Sequence, residues 1–263
     1  MSSVRRAVQA MELLARKGPL GVRAVAQQLD LPLGSVHRLL LDLAEENVVE
    51  RTAGGEWELS FRLLHISGQH LDRLELPRLA HPFAERIAAA TQETVNINAL
   101  SGVAGVCVDK VRGNERMQLD LRIGSRGPLH CGGAGKAMLA FLPAAEQEAI
   151  VAAPLAALTA RTLTDRDALR RELGHIRARG YAIDDQEVVL GVYCVAVPIL
   201  DRNGRPVGAI SITGPAEKRP GPAVRPLVAM LNEACEHVSR RLGYAADWPP
   251  AGEALSVPAQ AAE

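Results

Sequence analysis

Several residue types that mark large functional classes are scarce in this chain. Its 263 residues include four cysteines, Cys107, Cys131, Cys194 and Cys235, far apart and with no CxxC pair. That spacing suggests neither a zinc knuckle nor a disulfide framework, and reduced thiols are expected. Aromatic residues make up 3%, which speaks against a pocket built as a stacking cage. No apolar run is long enough to span a bilayer, and no basic leader followed by an apolar segment stands at Met1. A cytoplasmic protein with no membrane partner is therefore expected. Net charge is missing too, with 30 Lys+Arg against 30 Asp+Glu.

A neutral total argues at first sight against nucleic acid, but the charge is unevenly spread. Over residues 1–41, Arg5, Arg6, Arg16, Lys17, Arg23 and Arg38 face only Glu12 and Asp30, a balance of about +4. Over residues 42–60 the acids dominate and the balance is about −5, with Arg51 the only base. One compact domain can turn the first set toward phosphate and the second away, so local sign is the useful quantity.

The length suits two domains, each with its own core. Within the first, residues 30–43 read DLPLGSVHRLLLDL. Pro32 ends the preceding segment, and Val36, Leu39, Leu40 and Leu43 recur on one helical face. Ser35, His37, Arg38 and Asp42 occupy the other, as a helix entering a DNA major groove requires. Such a face is more often merely solvated, so the neighbours decide. Upstream, Val4, Ala7, Val8, Met11, Leu14 and Ala15 predict a helix over 3–17, stopped by Gly18-Pro19. Val22, Val25, Ala26 and Leu29 predict a second, short helix, and only Asp30, Leu31 and Pro32 separate it from the third. Two helices joined so closely are a helix-turn-helix. Residues 48–51 and 56–59 alternate around Ala53-Gly54-Gly55, predicting a two-stranded wing in which Trp57 packs rather than stacks on bases.

Residues 61–74 suggest a linking helix, in which His65 and His70 stand five apart on different faces and make a poor metal pair. The second domain alternates signals. Helices are expected over 78–91, 131–142, 165–179 and 222–242, and strands over 94–100, 103–111 and 117–123 and within 187–200. The Asn203-Gly204 turn leads into a strand over 206–213. Helices beside a largely antiparallel sheet give an α+β class. The Ala/Pro-rich tail over 246–263 is expected to be disordered.

At this point the chain resembles the IclR family of transcriptional regulators. The residues carrying the resemblance are AVAQQLDLPLGSVHRLLLDL (24–43), PLHCGGAGKAMLAFL (128–142), RGYAIDDQE (179–187), GVYCVAVP (191–198) and GAISITGP (208–215). The resemblance implies a winged helix-turn-helix DNA-binding domain over 1–60, a linker helix over 61–76 and a GAF-like effector-binding and oligomerisation domain over 77–245. It also implies dimers or tetramers on palindromic operator DNA. One departure matters. Where the family often carries Lys-Ser-Thr, this chain has Leu33, Gly34 and Ser35, so no operator sequence transfers from relatives.

Gly132-Gly133-Ala134-Gly135-Lys136 invites a phosphate-loop reading, which fails because His130 and Ala137 stand where that motif needs Gly and Ser or Thr. Small residues at a helix start still expose N–H groups that favour an anion, and a carboxylate effector fits. The resemblance places the pocket where this loop meets Asp184, Cys194, Ser211 and Thr213. Gly133 and Ala134 would donate N–H bonds, Ser211 and Thr213 hydroxyl bonds, and Leu119, Leu121 and Val192 would form apolar wall. Read without the family, Asp184 turns or caps the chain, Cys194 is a small buried hydrophobe, and Ser211 and Thr213 are sheet residues. On the DNA side, Arg5, Arg6, Arg23 and Arg51 would grip phosphate, with Gly34, Ser35, His37 and Arg38 near the bases.

No cofactor or metal is implied. Adjacent His130 and Cys131 in an extended segment point oppositely, and no third residue orients them, which argues against catalysis. Two alternatives stay open: an enzyme using the loop over 130–136, and a constitutive architectural DNA-binding protein whose second domain only oligomerises.

Overall fold

The computed structural model describes residues 2–113, 121–218 and 224–249, and the chain divides into two compact units, Met1–Leu74 and Glu75–Glu263. In the first, helix α1 (Ser3–Lys17) begins where the Ser2 hydroxyl accepts the Arg5 N–H. Helix α2 (Val22–Leu29) ends at Asp30, held at φ 51°, a left-handed conformation that Asp tolerates better than most residues. Leu31 and Pro32 complete the turn into helix α3 (Leu33–Glu45). Strands β1 (Val49–Arg51) and β2 (Trp57–Leu59) then pair antiparallel, with Arg51 opposite Trp57.

Leu13, Leu14, Val25, Val36, Leu40, Val49 and Trp57 form one buried core under the three helices and the hairpin. Trp57 also bridges to Leu20. This links the hairpin to the segment between α1 and α2, a tie that strand periodicity could not show. Two expected faces are corrected here. On α1 the buried positions are Ala10, Leu13 and Leu14, while Val4 is 72% and Val8 43% exposed. The helix carries two apolar stripes, and the one facing the other elements is the one buried. On α3 the buried residues are Val36 and Leu40, with Leu39 only half-buried.

Leu40, fully buried in this core, is therefore a position whose substitution should unfold this unit. Leu40→Asp puts an unpaired carboxylate among apolar side chains and should cost on the order of 4 kcal/mol or more. Circular dichroism and protease protection of residues 2–60 would show the loss. A variant melting like the parent would mean that α3 is oriented differently.

Helix α4 (Arg62–Leu71) closes the first unit, its start held by the Arg62 guanidinium donating to the Glu46 carbonyl at 2.6 Å. The second unit opens with helix α5 (Glu75–Thr91) and strands β3 (Thr94–Ser101), β4 (Ala104–Val111) and β5 (Arg126–Pro128). Helices α6 (Gly133–Phe141), α7 (Ala144–Ala152) and α8 (Arg166–Arg179) follow, then strands β6 (Ala182–Asp185), β7 (Val192–Leu200) and β8 (Pro206–Pro215), and helix α9 (Val224–Arg241). Among the described residues the sheet order is β5-β4-β3-β8-β7-β6, antiparallel throughout. Helices α5 and α9 pack together and on the sheet, while α6 lies against β6, β7 and β8 and is backed by α8.

Three differences from expectation bear on the site. Residues 182–185 form an edge strand rather than a turn. Helix α6 starts at Gly133, because Gly132 takes φ 77° just before it. Helix α7 and the three-residue strand β5 were not foreseen; α7 has little apolar periodicity, and β5 is too short to show any. The strand expected over 117–123 lies largely outside the described residues, and Leu121, Arg122 and Ile123 are not in a strand. Of the tail, 250–263 lie outside the described residues, whereas Ala246 is tied back by the Arg240 guanidinium at 2.6 Å.

Candidate functional site

Two places gather the residues singled out by sequence. On the first unit, Gly34, Ser35, His37 and Arg38 are all exposed on α3, because their spacing sets them away from Val36 and Leu40. Arg23 lines an open groove between α2 and α3 together with Gln27, Asp30, Pro32 and Leu33, so it stands beside the start of α3. Arg5 is exposed, and Arg6 is half-buried. Arg51 is exposed on the hairpin with its guanidinium 4.6 Å from the centre of the Trp57 ring, a cation–π seat that steadies the group while leaving it open to solvent.

In the second unit the strand register builds a polar row. Asp184 on β6 stands opposite Cys194 on β7, and Cys194 opposite Thr213 on β8. Opposed residues in antiparallel pairs share a face, so all three point the same way, and Ser211, two residues before Thr213, joins them. Helix α6 delivers its first turn onto this row. A Cβ on Gly133 would come 2.8 Å from the Cys194 sulfur, so glycine is what lets the helix start so close to the sheet.

The result is a cavity of about 260 Å³. Its lining includes Leu121, Gly133, Ala134, Asp184, Val192, Cys194, Ser211 and Thr213. Leu119 lies outside the described residues. Cys107, Cys131, Asn98, Met138, Leu158 and Arg126 also face it and were missed. Asn98 had a signal, since Asn96 and Asn98 alternate with Val95 and Ile97 along a buried strand. Leu158 had none, because it sits on a loop whose path depends on tertiary contacts. That loop is pinned by the Thr159 and Thr162 hydroxyls, each donating at 2.7 Å to the Gln186 and Glu187 carbonyls respectively. His130 Nε2 donates to the Ala156 carbonyl at 3.0 Å, which turns the imidazole to a structural task.

The electrostatics are unusual for an anion site. Lys136, fully buried, donates to the Ile183 carbonyl at 2.8 Å and pairs with the Glu187 carboxylate, whose other oxygen accepts the Gly132 N–H at 3.3 Å. Its charge is thus committed. Burial pushes the Glu187 carboxyl up against the opposing pull of Lys136. Asp184 accepts the Glu187 N–H at 2.7 Å, yet burial, reinforced by the Glu187 charge, raises its carboxyl to about 6. Burial also pushes the Cys131 and Cys194 thiols up to about 12. For Cys194 the Asp184 charge adds to this, while the Thr213 and Ser211 hydroxyls and the Gly133 N–H work against it. Asn96 donates from Nδ2 to the Thr213 oxygen at 3.2 Å, which frees the Thr213 proton to point elsewhere. The cavity therefore offers backbone and hydroxyl donors, a carboxyl poised between its two forms, and apolar wall. The carboxyls that act on Cys131 are those of Glu187 and Asp184, and both push its thiol pKa up; no group of three or more His, Cys, Asp or Glu is placed to hold a metal among the described residues. No helix among them is long and apolar enough to cross a membrane.

With this geometry in hand, relatives place the chain. Residues 3–53 match the IclR helix-turn-helix domain, and residues 68–240 match the C-terminal domain of the bacterial transcriptional regulator IclR. A probable transcriptional regulator, SauR of Cupriavidus necator, is 36% identical over 213 residues, covering 80% of this chain and 84% of that protein. The transcriptional repressor IclR of Escherichia coli is 30% identical over 248 residues, covering 92% and 90%. Among solved structures, the IclR of Thermotoga maritima superposes with a TM-score of 0.79 at 31% identity, covering 92% of this chain and 99% of that one. Helix-turn-helix unit, antiparallel sheet unit and extended sequence similarity agree, and the chain belongs to the IclR family of bacterial transcriptional regulators.

Proposed function

We propose that this regulator is a repressor that binds a palindromic operator and releases or tightens on it in response to a small organic acid, acting in the cytoplasm as a dimer or tetramer. In this reading residues 1–60 bind DNA, 61–76 link, and 77–245 bind the effector and oligomerise. The observation that carries it is the meeting of the α6 N-terminus with the Asp184–Cys194–Thr213 row around one small cavity, in a chain whose other unit is a helix-turn-helix with a hairpin wing. Gly133 and Ala134 N–H groups and the Ser211 and Thr213 hydroxyls take the acid's oxygens, and Leu121 and Val192 take its carbon frame. On the DNA side Arg5, Arg6, Arg23 and Arg51 meet phosphate, while Gly34, Ser35, His37 and Arg38 meet the bases. Repression is supported by the relative named as a repressor. The effector works only through different affinities for DNA-competent and DNA-incompetent states.

The test is a selection of bound genomic fragments by the purified protein, at controlled salt and with a panel of organic acids. Enrichment of a palindromic site whose occupancy one acid shifts is the expected result. Occupancy untouched by every acid would favour an architectural role, and no enriched fragment would overturn DNA regulation altogether. On the selected operator, Arg38→Ala should weaken binding by about 1–3 kcal/mol with an unchanged melting curve, since Arg38 is exposed. Unchanged affinity at physiological salt would remove Arg38 from the interface.

A further inference from the structure

The first turn of α3 departs from what a merely solvated helix start would carry. Leu33, its first residue, is 46% exposed and borders the same open groove as Arg23 and Gln27. Gly34 follows, also exposed. A Cβ built on Gly34 meets nothing within 4 Å, and α3 takes no side-chain cap at its start. Packing inside this unit therefore gives no reason for glycine, although glycine weakens a helix. An outward leucine beside a position stripped of its side chain suits a partner that comes close to the backbone and offers a small apolar projection.

Resting on the DNA-binding reading above, we infer that Leu33 reads a thymine in the operator. Its side chain seats against the 5-methyl group in the major groove, with Gly34 letting the helix backbone approach. Two general rules and one placement support this. The N-terminal residues of a recognition helix are those that reach base edges. Among the four bases, thymine alone presents a methyl group there. Leu41, also exposed on α3 at 42%, lies two turns farther along, away from the end that enters the groove. Arg38 and His37 supply the polar contacts flanking the apolar one.

The operator duplex from the genomic selection is resynthesised with each thymine replaced in turn by deoxyuridine, which removes only the methyl group. The full-length protein should lose about fourfold in affinity at one thymine per half-site, the equivalent of one buried methyl. Leu33→Ala should bind the parent duplex about fourfold more weakly and show no further loss at that position, whereas Leu33→Met should keep the sensitivity. Gly34→Ala should bind several-fold more weakly without melting earlier. Uniform indifference to deoxyuridine, or the same sensitivity in Leu33→Ala as in the parent, would overturn the thymine contact and leave the regulator reading standing. Failure of the selection to yield any duplex would sink both.

Discussion

Lys136→Met should destabilise the second unit by about 3–5 kcal/mol at neutral pH, the toll of leaving one member of a buried ion pair without its partner. The parent Lys136 joins the Glu187 carboxylate and the Ile183 carbonyl, and Met keeps the apolar stem while removing the ammonium. Glu187 then retains only the Gly132 N–H and is pushed toward its protonated form. Its pKa is already raised by burial against the pull of Lys136, and losing the ammonium removes that pull. The deficit therefore shrinks as pH falls through that raised pKa and is full above it. Lys136→Met with Glu187→Gln removes both charges and should recover most of the loss. Urea titration of the single and double variants checks this. A single variant as stable as the parent would show that the pair contributes nothing.

The second large effect concerns Asp184. On the proposed reading, a carboxylate held by the Gly133 and Ala134 N–H groups would share the cavity with the Asp184 carboxyl, and two neighbouring carboxylates resist ionising together. The acid should therefore bind to the form in which Asp184 carries its proton. With Asp184 raised to about 6, affinity holds below that pH and falls by up to about tenfold for each unit above it. Lys136, Glu187 and Asp185 also act on Asp184, but the ammonium is already engaged by Glu187 and gives the ligand no countercharge. Binding at pH 7.5 should take up close to one proton, seen as a dependence of the calorimetric heat on buffer ionisation enthalpy. Asp184→Asn should flatten the profile. Proton-neutral binding with a level pH dependence would place the carboxylate away from Asp184. The unliganded fold carries the matching signature, losing stability as pH rises from about 4 through about 6, because the native state binds the extra proton in that window.

How much of this could be read from residues alone divides along physical lines. Helical periodicity and turn chemistry located α1, α2 and α3 closely, because Gly18, Asp30 and Pro32 punctuate them locally. Periodicity did not choose between the two apolar stripes of α1, since that choice is made by α2, α3 and β2. In the second unit, motif resemblance pointed to Gly133, Asp184, Cys194 and Thr213. Only the register across β6, β7 and β8 put three of them in a row, and a register is a long-range fact. Asp184 itself, weighed as a turn residue in its own right, lies on an edge strand. The cysteines show the same limit. They are scattered through the sequence, yet Cys107, Cys131 and Cys194 line one cavity, because the chain returns to that place from three directions.

Those sulfurs bear on the kind of memory a ligand in this cavity could leave. Burial pushes the Cys107 thiol up and those of Cys131 and Cys194 up to about 12, which disfavours the thiolate, the form that attacks electrophiles and oxidants. The cavity is thus lined with soft, polarisable surface that is chemically quiet. If the proposed effector binds there, its occupancy should follow the present concentration and be erased by dilution, with no covalent mark left to be repaired.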